Sequence, residues 1–340
     1  MSVHNLSHSI SLHAWNNNFS QLAMVPTGSN EVYIYSVGFP SKTTLDLKLL
    51  TKLSVHSQTI TALDWSPIAN RIVTTSEDCS ERMWDYDSKE QTWKETVVVT
   101  SATRAGLAAK WSPSGDRFAV GTGQKSVSLC YLDTANGFWT DANSVIKKPH
   151  KSAVTALSWS PNATFLATCC TDFHVRVFSN PPPTSSQQVL ELPFSSWAIA
   201  VAFSPNSMEL VVSLHSSTIV FVNLETREQQ VLPLQGLPES CLLYKDEETL
   251  IAGGHDCNPH VYKKEGGVWK FEKNLDTEVK GKPKSSLSSL AASFERIKVE
   301  TTDFALKTIH QNAITSMSAI HNNEQLVTTS SDGKLVVWNL

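Results

Sequence analysis

The stretch HSQTITALDWSPIANRIVTTSEDCSERMWD, residues 56–85, reads as three short strands separated by two turns. Ile60-Thr61-Ala62-Leu63-Asp64-Trp65 alternates apolar and polar positions. Ser66-Pro67-Ile68-Ala69-Asn70 reverses the chain, and Arg71 to Ser76 is rich in β-branched residues. Asp78 sits in a second turn before Arg82-Met83-Trp84. The pattern returns from His150 as HKSAVTALSWSPNATFLATCCTDFHVRVF and from His310 as HQNAITSMSAIHNNEQLVTTSSDGKLVVW. In all three, an Asp (78, 172, 332) follows the His by 22 residues, and an aromatic (Trp84, Phe178, Trp338) follows it by 28. Spacing kept three times over defines a repeat protein, and every other residue has to be read inside that repeat.

Weaker copies close on Tyr35, Tyr131, Phe221 and Tyr262, which gives seven units ending near 35, 84, 131, 178, 221, 262 and 338. Successive closing aromatics are 49, 47, 47, 43, 41 and 76 residues apart. The first five intervals match the period of a four-stranded propeller blade, and the last is too long by roughly 30 residues. Each unit shows three strands, and the connection to the next supplies a fourth, as in Trp93 to Thr100. The expected architecture is all-β: one seven-bladed propeller over 1–340, interrupted by an insert at about 274–308. The last unit stops at its third strand, so a segment within residues 1–6 is expected to complete it. In the insert, Lys280-Gly281-Lys282-Pro283-Lys284 makes a basic turn. Leu287, Leu290, Ala291, Phe294 and Ile297 then fall on one helical stripe, which predicts an amphipathic helix over about 286–297.

The composition fits a folded soluble protein with ample core, at 41% hydrophobic and 18% charged residues. A net charge of −4 gives no reason to expect nucleic acid. No stretch approaches a membrane span, and the first twenty residues lack a secretory apolar run, so neither membrane insertion nor secretion is expected. Six cysteines (79, 130, 169, 170, 241, 257) show no CxxC spacing, and most sit on expected strands or inter-strand turns, where a free thiol acts as a small hydrophobe in a reducing setting.

His56, Thr74, Asp78 and Trp84 resemble a hydrolase triad beside an aromatic. A catalytic set occurs once, however, whereas His310, Thr328, Asp332 and Trp338 repeat this one at identical spacing. His150, Thr168 and Asp172 repeat it again, ending in Phe178, which has no N–H. These are read as structural hydrogen-bond chains rather than catalytic groups. Gly121-Thr122-Gly123 and Gly253-Gly254 open no helix in a nucleotide-binding format and are read as strand-to-turn glycines. The histidines show no HxH or HExxH spacing, so no metal site is expected, and no cofactor. Two functional candidates remain. One is basic loop charge, at Lys147, Lys148 and Lys151 and again at Lys280, Lys282 and Lys284. The other is the insert helix, whose Leu287, Leu290, Phe294, Arg296 and Ile297 suit docking in a partner's groove.

The His…Asp…Trp cadence resembles that of WD40 repeats over the whole chain. More specific motifs resemble one WD40 family: Ser11-Leu12-His13-Ala14-Trp15-Asn16 with Asn30-Glu31-Val32-Tyr33-Ile34-Tyr35, and Arg117-Phe118-Ala119-Val120-Gly121-Thr122-Gly123 with Val127-Ser128-Leu129-Cys130-Tyr131. Ala252-Gly253-Gly254-His255-Asp256-Cys257 and Phe294-Glu295-Arg296 match it too. It is the WD40 subunit family of the actin-related protein 2/3 complex. The resemblance implies a non-catalytic, cytoplasmic, cytoskeletal subunit of an assembly that nucleates branched actin filaments. Its implied partners are the other subunits, the actin filament, reached by the insert helix, and the acidic tails of nucleation-promoting factors. The insert of this chain is richer in Ser than the family's, and the loop around Pro181 is shorter. A general WD40 adaptor, such as a ubiquitin-ligase substrate receptor or chromatin-complex subunit, is the competing reading.

Overall fold

Short alternating strands with one apolar face cannot bury that face alone, so they stack side by side until the array closes. The computed structural model describes residues 1–40, 44–179, 187–277 and 308–340. It is a seven-bladed β-propeller, with antiparallel sheets throughout and no helix among the described residues. The innermost strands are Ile10–Trp15, Ile60–Trp65, Gly106–Trp111, Val154–Trp159, Ala198–Phe203, Glu239–Tyr244 and Ile314–Ile320. Each touches the innermost strands of both neighbouring blades, and the seventh touches the first, so the ring is closed.

Closure uses the chain's beginning. Blade 7 takes Gln325–Ser330 and Lys334–Asn339 from the end of the sequence and Ser2–Asn5 as its outer strand. Ser2 pairs with Val337 and Asn5 with Lys334. Each of the seven closing aromatics lies on the third strand of its blade, so it marks a point one strand short of the blade's outer edge. Blade 3 is irregular. Its outer edge is split into Phe138–Thr140 and Val145–Ile146, which both pair with Val127–Asp133. The expected insert helix at 286–297 lies outside the described residues, as do Lys280, Lys282, Lys284 and Pro181.

The apolar core is divided among the seams rather than gathered at one centre. Seven clusters of buried side chains each span two adjacent blades. Between blades 2 and 3, for example, Val73 and Met83 pack with Trp111, Phe118 and Trp139. Between blades 7 and 1, Val327, Leu335 and Val337 meet Ile10, Leu22 and Met24. Trp65, Trp111, Trp159 and Phe203 end their innermost strands buried, beside a recess of about 580 Å³ where the innermost strands of five blades end.

Candidate partner-binding surface

One face of the ring carries the crossovers from each outer strand to the next inner strand, and the His and Asp positions lie there. In blade 2, Trp84 Nε1–H donates to Thr74 Oγ1 at 3.0 Å, and Thr74 Oγ1 lies 2.9 Å from His56 Nε2. His56 Nδ1 lies 3.1 Å from Asp78 Oδ2, which fixes the ring proton on Nδ1 and leaves Nε2 to accept from the threonine hydroxyl. Burial would raise the Asp78 carboxyl, but the Ser80 hydroxyl and the backbone N–H groups of Ser57 and Ser80 outweigh it and hold it at about 2. Burial pulls His56 below its ordinary value, and Asp78 only partly offsets this. Thr74 is fully buried and His56 nearly so, which withdraws both from any substrate.

The other two sets depart from this pattern. In blade 7, His310 Nε2 and Trp338 Nε1 meet Thr328 Oγ1 at 2.7 and 2.9 Å. Asp332 stands 3.6 Å from His310 Nδ1, too far for a hydrogen bond. It accepts instead from the backbone N–H groups of Gln311 and Lys334. In blade 4, Asp172 does not hold His150 at all, contrary to the sequence expectation. The buried Arg176 guanidinium takes Asp172 at 2.9 Å and Glu191 at 2.8 Å, and Lys151 N–H donates to Asp172 at 2.9 Å. With no acceptor on Nδ1, the proton moves to His150 Nε2, which donates to Thr168 Oγ1 at 3.0 Å. Thr168 Oγ1 then donates to the Arg176 carbonyl at 3.4 Å, so the chain runs in the opposite sense to that of blade 2. Phe178 leaves no indole to require the threonine oxygen. Burial, with the Arg176 charge beside it, takes His150 down to about 4 and keeps it neutral.

Lys147, Lys148 and Lys151 are exposed on the same crossover loop, between Val145–Ile146 and Val154–Trp159. None of the three ammonium groups has an acidic partner among the described residues. Three unpaired cations on one short loop form a positive patch on the His/Asp face. Leu287, Leu290, Phe294, Arg296 and Ile297 lie outside the described residues. The chain leaves the described structure after Thr277 and returns at Thr308. Asn274 and Thr308 line a cavity of about 610 Å³ with His260, Tyr262 and Phe271.

Two sites escaped the sequence reading. His13, in the Ser11-Leu12-His13-Ala14-Trp15 motif, bridges the seam between blades 1 and 7. Its Nδ1 and Nε2 lie 2.8 and 2.7 Å from Thr329 Oγ1 and Ser318 Oγ. Burial takes it to about 3, so it is neutral. In blade 6, Glu239, Asp256 and His260 come together. The available signal was a mismatch: Asp256 follows a glycine-rich strand end as the repeat asks, yet Leu234 stands 22 residues before it where His would be.

Comparison with known proteins agrees with the repeat. The family model described as WD domain, G-beta repeat matches residues 47–85, 143–179 and 305–339, the same three units that carry the His…Asp cadence. The chain is 32% identical to actin-related protein 2/3 complex subunit 1B of Arabidopsis thaliana, covering 99% of this chain and 96% of that one. It is also 32% identical to actin-related protein 2/3 complex subunit 1A-A of Xenopus laevis over its whole length and 96% of that protein. Against subunit 1 of Schizosaccharomyces pombe the identity is 28%, over 96% of each.

Proposed function

The chain belongs to the subunit 1 family of actin-related protein 2/3 complexes, and we propose that it serves as a non-catalytic subunit of such a complex, supporting nucleation of branched actin filaments. The observation that carries this is similarity spanning 96% or more of this chain and 96% of each relative from a plant, an animal and a yeast. A shared repeat alone would leave blade-specific segments unmatched. The protein is a scaffold and not an enzyme. Its His/Thr/Asp sets recur around the ring, and their hydroxyls are spent inside the blades.

The expected partners are the other subunits of the complex, the actin filament and the acidic tails of nucleation-promoting factors, in a cytoplasmic, cytoskeletal setting. The lysine loop supports the last of these. Lys147, Lys148 and Lys151 offer unpaired positive charge where an acidic peptide would be drawn by long-range attraction. The insert helix, with Leu287, Leu290, Phe294, Arg296 and Ile297, is proposed to reach toward actin.

Capture of the tagged chain from its native cytosol tests the main reading. The remaining subunits, actin-related proteins 2 and 3 among them, are expected at equal stoichiometry; ubiquitin-ligase or chromatin components in their place would favour a general WD40 adaptor. The lysine loop has its own test. Changing Lys147, Lys148 and Lys151 to Glu is expected to weaken binding of an acidic-tail peptide to the complex, most strongly at low salt. Unchanged affinity at low ionic strength would remove the loop from the binding surface.

A further inference from the structure

Blade 6 departs from the repeat in a way that leaves ionisable side chains facing one another. Asp256 occupies the turn position that Asp78 fills in blade 2, but no histidine reaches it from the preceding crossover. Its Oδ2 accepts the Leu237 N–H at 2.9 Å. A Cβ at Gly236 would stand 1.9 Å from that same oxygen, so glycine there is what lets the carboxylate sit against the crossover backbone. Glu239 opens the innermost strand and is fully buried. Its Oε1 is hydrogen-bonded to His260 Nδ1, while its Oε2 is buried with no hydrogen-bond partner. One ligand atom from each of Glu239, Asp256 and His260 lies within 4.8 Å of the others.

Two carboxylates and an imidazole at that separation are the donor set of a divalent transition ion. A buried carboxylate with one oxygen lacking a donor is costly, and a cation held by the Glu239 carboxylate would offset that cost together with the negative charge of Asp256 alongside. Access is present as well. Asp256 and His260 lie on the wall of the cavity of about 610 Å³ between blades 5 and 6, together with Gly236 and Asn258. We propose that Glu239, Asp256 and His260 form a binding site for a divalent cation of the zinc class, with a fourth ligand supplied by solvent from the cavity. The role is structural. The ion ties the start of the first strand of blade 6 to its second turn and third strand, much as the His/Thr/Asp chain in blade 2 ties the crossover to the second strand and the turn after it.

The test uses the full-length chain with zinc chloride as the probe, followed by equilibrium dialysis and metal analysis. The wild type is expected to take up one ion per chain and to melt at higher temperature when loaded. Asp256→Asn keeps the acceptor for Leu237 N–H and removes a ligand charge, so the variant should fold. It should bind zinc roughly tenfold or more weakly and lose the zinc-dependent rise in melting temperature. His260→Gln gives a second, independent arm with the same expectation. Cobalt bound by the wild type should show the visible absorption of a tetrahedral site, which adventitious binding to exposed histidines would not. The proposal is overturned if the wild type retains no zinc through dialysis, or if both variants bind it as tightly as the wild type.

Discussion

Thr74 Oγ1 carries the blade 2 chain on a single atom, accepting from Trp84 and donating to His56. Trp84→Phe removes one donor and leaves the threonine oxygen half-satisfied in a dry site, at an expected cost of about 1–2 kcal/mol. A urea midpoint measurement reads this directly, and no shift would mean that the hydroxyl finds another donor. Blade 4 shows how such a loss is accommodated: Phe178 is native there, and the hydrogen bonds have reversed direction. That reversal was not legible in the spacing, because it follows from Arg176 taking Asp172 away. The positions of the three sets were legible, since identical intervals place them on identical turns. Glu81, on the third strand of blade 2, is only 1% exposed. Burial raises its carboxyl from 4.5 to about 7, the Thr100 hydroxyl opposes this, and Asp141 adds to it. Folded protein therefore holds a proton that unfolded chain gives up, so this group favours the fold fully below pH 4.5 and loses that contribution as pH rises through about 7. The buried histidines act in the opposite sense, so the comparison must be between Glu81→Gln and wild type. The stability advantage of the variant is expected to grow with pH across that window by on the order of 3 kcal/mol. A difference that stays flat across the window would show that Glu81 is ionised in the fold.

At the scale of strands and turns, the sequence identified the elements and missed what presses on them. Every innermost strand breaks register two residues after its start, at pairs such as Ile60/Ala62, Val154/Ala156 and Ile314/Ser316. A bulge at that point bends the strand, on the face that bears the His and Asp positions. Nothing in the alternation announces it, because the extra residue costs only one step of the pattern. The turn after each Asp position likewise needs a left-handed residue, filled by Cys79, Lys125, Phe173, Ser217 and Cys257 as well as by Gly28 and Gly333. The sequence reads Gly121 as a strand-to-turn glycine, but its φ is not left-handed. The reason for glycine is the neighbouring blade. A Cβ there would stand 2.8 Å from the Val154 carbonyl oxygen and 2.9 Å from Val154 Cγ1. The first of these is backbone and cannot rotate away, so Gly121→Ala has to push blades 3 and 4 apart. The expected loss is about 1–3 kcal/mol, with selectively faster amide exchange along Val154–Trp159. Wild-type exchange in that strand would show that the seam yields without cost.

For the whole molecule the repeat settles the architecture, but a ring needs its ends joined, and that is the feature least visible in the sequence. Ser2–Asn5 carries no strong strand signal, yet it supplies the outer strand of blade 7 by pairing with Lys334–Asn339. Leu6 N–H extends the ladder to the Gly333 carbonyl at 2.8 Å, and Lys334–Asn339 already pairs with Gln325–Ser330 on its other side. His13 adds a second fastening at the same seam, through Thr329 and Ser318 on the first two strands of blade 7. Because the apolar core is split among seven seams, no single centre holds the ring if one seam opens. Deleting residues 2–5 removes a four-residue pairing, whose hydrogen bonds are worth roughly 0.5–1.5 kcal/mol each. It also turns Lys334–Asn339 into an open edge that can pair with another chain. The expected result is a lower melting temperature and a concentration-dependent rise in light scattering. His13→Ala in the same assay separates the two fastenings. It leaves Thr329 and Ser318 short of a partner, but it exposes no edge, so it should lower the melting temperature without promoting association. If the deletion left the melting temperature unchanged, the seam would be held by its apolar cluster, His13 and the Thr315 hydroxyl that donates to the Ile10 carbonyl, and the first strand would only cover an edge.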